Sequence, residues 1–113
     1  MAQKVQGVQR TQLLERAREA LFDSLDIRQK IHGNNHKETI TAKILIASFY
    51  QSQSKIKDAT STLMDCLSSA QTNYGKEDPL TGTILNNLGF LHKSIGALNE
   101  AKEFYSDAVN IRR

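Results

Sequence analysis

The chain repeats itself. A shift of 42 residues brings Gly33 onto Gly75, Thr39 onto Thr81, Thr41 onto Thr83, Ala59 onto Ala101 and Asp65 onto Asp107. Elsewhere size and polarity agree across the shift: Ile46 with Leu88, Ala47 with Gly89, Tyr50 with His92, Ile56 with Leu98, Leu63 with Tyr105, Cys66 with Ala108, Leu67 with Val109. The same shift taken backwards sets Ala59 on Ala17, Leu63 on Leu21, Cys66 on Ser24 and Leu67 on Leu25. The 113 residues therefore hold two whole units and the second half of an earlier one. A period of this length restricts the fold to stacked supersecondary units, because one unit cannot bury its apolar face alone.

The units are helical. Leu85, Leu88, Leu91 and His92 recur at spacings of three and four, as do Ala59, Leu63, Cys66 and Leu67, which puts each set on one helix face. No stretch alternates as a strand would, and one proline and six glycines are too few for a turn-rich β-fold. "HGNNH" and "YGKEDP" supply Gly and Asn for helix ends, Asp78 is placed to cap and Pro79 to begin a helix, and "SQSK" and "SIGA" read as tight turns inside the units. This predicts an all-α chain of five helices over 8–31, 37–52, 55–73, 79–94 and 97–112. Residues 1–10 read as a polar segment, either disordered or extending the first helix; the domain proper is expected over 11–113, as a half unit 11–35 and units 36–77 and 78–113.

The last unit places Leu85, Leu88, Gly89 and His92 in its first helix and Ala101, Tyr105 and Ala108 in its second; the middle unit matches with Ile46, Ala47, Tyr50, Ala59, Leu63 and Cys66. In this pattern of small and large residues the chain resembles the tetratricopeptide repeats. The 42-residue period, with "G-x-x-H/D-P-x-T" leading into "LNNLGFLHKSIGALNEAKEFY", is similar to the long repeats of kinesin light chain, although Lys37 stands where the last unit has Pro79. The resemblance implies a right-handed α-solenoid of antiparallel helix pairs whose first helices line a concave surface. It also implies a non-catalytic scaffold that grips short segments of partner proteins, commonly with Asn and basic residues of the first helices.

Two adjacent asparagines focus that implication. With Leu85, Leu88 and His92 turned to the core, Thr83, Asn86, Asn87, Phe90 and Lys93 fall on the other stripe, facing the groove or a neighbouring first helix. An amide offers donors and an acceptor to an extended peptide backbone, Phe90 an apolar seat, and Lys93 a partner for an acidic side chain. The middle unit presents Thr41, Ile44, Leu45, Ser48 and Gln51 at the equivalent places, a less charged lining. The competing reading is that Asn86 and Asn87 bond between helices to fix the superhelix, with Phe90 as core between units.

Other chemistries fare poorly. His32 and His36 are four apart, but Gly33 and two asparagines between them argue against a helical metal pair. His92 occupies the packing slot of Tyr50, and Cys66 the small-residue slot of Ala108 and Ser24, which predicts an inert buried thiol. No phosphate loop or Ser, His and Asp set is recognisable, so no enzyme activity, cofactor or metal is expected. The net charge of +3 is interleaved: Arg16, Arg18, Arg28 and Lys30 alternate with Glu15, Glu19, Asp23 and Asp26, a solvated helix face and neither a nucleic-acid stripe nor a membrane-binding face. The single cysteine and the lack of an Asn-x-Ser/Thr site favour a reducing, cytoplasmic location; no signal peptide or membrane span is expected.

The last helix is apolar over a wide arc. Leu98, Ala101, Tyr105, Ala108 and Val109 are expected to serve the preceding helices, and Phe104 and Ile111 to extend the stripe toward where a following unit would lie. The leading expectation is thus an interaction domain holding a peptide or helix of a partner in its groove. The alternative is a structural or oligomerisation module, part of a longer array that self-associates through Phe104 and Ile111.

Overall fold

A computed structural model describes the backbone of residues 2–111 and the side chains of residues 11–111. It contains α1 (Ala2–His32), α2 (Lys37–Ser52), α3 (Ile56–Tyr74), α4 (Pro79–Ser94) and α5 (Leu98–Ile111), and no strand among the described residues. The first helix thus continues back through the polar N-terminal segment to Ala2. The expected end of the last helix at 112 lies outside the described residues.

Each unit opens with the same local device. His36 Nδ1 accepts from Glu38 N at 3.1 Å, and Asp78 Oδ1 accepts from Leu80 N at 2.9 Å, so both first helices have an N-cap side chain satisfying a free amide. Three residues past each cap a wholly buried threonine reaches back to the preceding helix end: Thr39 Oγ1 donates to Gly33 O at 2.7 Å, Thr81 Oγ1 to Gly75 O at 2.9 Å. The Thr and Gly six positions apart in the repeat signature are therefore a donor and acceptor pair that ties the start of each first helix to the end of the helix before it.

The tight turn between helices of a unit is also repeated. Lys55 N donates to Tyr50 O and Ala97 N to His92 O, both at 2.9 Å, closing the helix C-terminus through a left-handed residue. In the last unit that residue is Gly96, φ 81°, which has no Cβ to clash; in the middle unit it is Ser54, φ 61°.

Helices α2 with α3 and α4 with α5 form antiparallel pairs, and α1 and α3 each pack on the first helix that follows them. The core runs between them as one cluster, with Ile40, Ile84, Leu88 and Leu91 fully buried on the first helices and Ala59, Leu63, Cys66, Leu67 and Ala70 on α3. Close approach within the last pair depends on Gly89. A Cβ there would lie 3.0 Å from the Tyr105 ring. The middle pair has the reverse compromise, Ala47 with the smaller Leu63.

The face of α5 differs from expectation. Phe104 is half-buried against the His92 ring, with centroids 5.0 Å apart, and Ile111 Cγ2 lies over Gly82, 3.4 Å from where a Cβ would stand. Leu98 and Val109 are the exposed residues instead. The reason is helical spacing: Phe104 and Ile111 each follow an alanine, Ala101 or Ala108, by three positions, so all four share the stripe that α4 covers.

Candidate functional site

The first helices lie side by side, and their outward turns enclose an open depression of about 420 Å³ lined by Ser48, Gln51 and Ser52 of α2 and Asn87 and Phe90 of α4. No ionised group lines it. Four residues expected in the groove therefore meet here: Ser48, Gln51, Asn87 and Phe90. Ser52 joins them, and its signal was its place one turn beyond Ser48. Its hydroxyl donates to Phe49 O at 2.6 Å, which holds it in the last turn of α2.

The remaining expected residues are placed around this depression without lining it. Asn86 is half-buried beside it in sequence, and Lys93 is exposed. Thr41 and Thr83 are exposed, but each hydroxyl donates to its own helix, to Lys37 O at 2.8 Å and Pro79 O at 3.1 Å, a local bond that occupies the only hydroxyl proton. Ile44 was expected on the lining and is instead in the core, whereas Leu45 is 49% exposed. The aliphatic Ile44 is turned under the pair where Asn86 stays only half-buried, because one residue of rotation decides burial for an apolar side chain and a polar one differently.

Phe90 is 59% exposed, which removes it from the core between units. Asn86 and Asn87 are half-buried, and neither side-chain amide makes a hydrogen bond among the described residues, so neither staples one helix to another. Their donors and acceptors are open to another molecule. His92, by contrast, is held: Nδ1 lies 2.8 Å from Leu88 O, and since a carbonyl only accepts, that nitrogen carries the proton and donates.

A smaller cavity of about 210 Å³ lies among α1, α2 and α3, walled by Phe22, Leu25, Ile46 and Tyr50 with Lys43 and Asp65 at its rim. Phe22 and Tyr50 meet edge to face at 6.4 Å there, a packing contact between units. Cys66 is buried, and burial pushes its thiol up to about 11. His32 and His36 stack at 4.2 Å, with His36 Nδ1 already engaged as the helix cap, and no group of three or more His, Cys, Asp or Glu side chains comes together among the described residues.

A family model for the tetratricopeptide repeat matches residues 38–113. The chain belongs to the tetratricopeptide repeat family. Tetratricopeptide repeats generally mediate protein–protein interaction, and the family is generally non-catalytic. Among solved structures, this tetratricopeptide chain is similar to the crystal structure of BtubC (BKLC) from P. vanneervenii, a kinesin-light-chain-like protein, with a TM-score of 0.78 and 22% identity. The likeness covers 88% of this chain and 39% of that one, so the chain spans well under half the length of the protein it matches. No curated protein sequence matches it. Among the described residues no helix is long and apolar enough to cross a membrane.

Proposed function

We propose that this tetratricopeptide chain is a non-catalytic adaptor domain, working in the cytoplasm, that holds an extended segment of a partner protein across the first helices α2 and α4. The observation that supports this most is the pairing of an unbonded amide at Asn87 with an exposed aromatic ring at Phe90, in a depression shared by both units. An extended chain presents its own N–H and C=O groups at intervals, and amide side chains can satisfy both kinds, while one apolar side chain of the ligand seats on Phe90. Gln51 repeats the amide chemistry from α2.

The alternative, an oligomerisation module joined through Phe104 and Ile111, has weaker support, since α4 already takes up part of both side chains. The test is selection of peptides from a displayed random library, followed by calorimetry of the tightest binder. Asn87→Ala and Phe90→Ala should each weaken binding at least about tenfold, as loss of a central anchor does. A selected peptide that binds both variants as tightly as the original chain would place the interaction elsewhere.

A further inference from the structure

Helix α1 has two apolar faces. One carries Phe22 and Leu25, which pack toward α2 with Tyr50 and Ile46. The other is the row Leu13, Ala17, Ala20, Ser24, Ile27 and Ile31, spaced alternately by four and three so that it runs straight along the helix. This row is open: Leu13 is 63%, Ile27 55% and Ile31 69% exposed.

The chain itself shows what such a row accommodates. Shifted by the repeat, Ala17, Ala20, Ser24 and Ile27 become Ala101, Phe104, Ala108 and Ile111 on α5, the stripe that antiparallel α4 covers. On α3 they become Ala59, Thr62, Cys66 and Ser69, of which Thr62 lines a cavity together with Ile46 and Tyr50 of α2. On α1 no described helix occupies this side. Its fitting occupant is another antiparallel helix.

We propose that the occupant is α1 of a second copy of this chain, giving an antiparallel, two-fold dimer. The central part of the row, residues 13–24, is self-complementary in charge and in size. With Ala17 of one copy set against Ala20 of the other, Leu13 faces the small Ser24 and the helices can approach closely. On one flank Arg16 comes opposite Asp23, and the two-fold axis repeats that ion pair; neither residue has an ion-pair partner within the chain among the described residues. On the other flank the half-buried Leu14 meets Leu21.

Sedimentation equilibrium of the full chain from about 1 to about 200 μM tests this, a range that reads micromolar dissociation constants. The expected result is a dimer that becomes monomeric in Ala17→Glu and in Ala20→Glu, both with unchanged helical circular dichroism, as both sites are exposed and Glu favours helix. At low salt, Arg16→Asp alone and Asp23→Arg alone should weaken the dimer, and the two together in one chain should restore it. A monomer across the whole range overturns the proposal. So does a dimer untouched by Ala20→Glu, which would lie on another surface. A combined charge reversal no tighter than either single one overturns the antiparallel pairing.

Discussion

Lys37 Nζ lies 3.0 Å from Asp78 Oδ2, a contact across 41 positions that joins the first turn of one unit to the N-cap of the next. Lys37 also sits 4.9 Å from the centre of the Tyr74 ring, whose hydroxyl donates to Asn35 O at 2.6 Å. Where the last unit has Pro79 to start its helix, the middle unit therefore has a cation that binds the two starts together. Asp78 is held below its ordinary value, first by the Leu80 amide and then by Lys37.

That direction predicts an acid dependence. A carboxylate whose pKa is lowered by folding contributes stability above its unfolded value, and the contribution disappears as pH falls through the folded one. Thermal melting followed from neutral pH downward should show stability falling below about 3.8 in the native chain and falling less in Asp78→Asn, while Lys37→Met should reduce the difference. An identical acid slope in the native chain and Asp78→Asn would exclude this carboxylate as a source.

The left-handed turn at Ser54 is a site of avoidable strain. Its counterpart is Gly96, and a side chain at φ 61° crowds its own backbone. Ser54→Gly should raise unfolding stability in urea by about 0.5–1 kcal/mol, the relief of strain exceeding the extra entropy of glycine in the unfolded chain. A loss of stability would show the serine hydroxyl to matter more than the backbone.

Gly89 and Tyr105 should behave as a coupled pair. Alanine is better than glycine inside a helix by about 1 kcal/mol, but its Cβ would meet the ring at 3.0 Å. Gly89→Ala should therefore destabilise the native chain, by about 1 kcal/mol, and become neutral or stabilising once Tyr105→Leu gives the combination Ala47 and Leu63 already use. Additive effects in the double-mutant cycle would mean the ring moves aside freely.

Cys66, buried and with its thiol raised to about 11, should not react with a thiol reagent at mildly alkaline pH until the chain opens. Labelling rates should rise with urea in step with unfolding. Labelling of the native chain as fast as a free thiol would contradict the packing of α3.

Much of this was legible in one dimension. The helices Lys37–Ser52 and Pro79–Ser94 begin and end where Asp78, Pro79 and the "SQSK" and "SIGA" turns indicated, because capping and turn geometry involve neighbours within a few residues. His92 and Cys66 fell in the packing slots that their repeat partners marked. His36 was not foreseen as a cap, because an imidazole at that position is a less familiar acceptor than Asp78.

What the sequence by itself determined is the repeat, its helices and the residues that must be small or large within each pair. These follow from periodicity and from contacts within one turn of helix. Only the tertiary structure decided that Ser48, Gln51, Asn87 and Phe90 converge while Thr41, Thr83 and Lys93 stand aside, that Ile44 goes under and Leu45 stays out, and that Phe104 and Ile111 lie beneath α4. Each of those outcomes depends on how far one helix is rotated against another. That rotation is set by fits such as Tyr105 over Gly89 and by bonds such as Lys37 to Asp78, which join residues far apart in the chain and are visible only once the helices are packed.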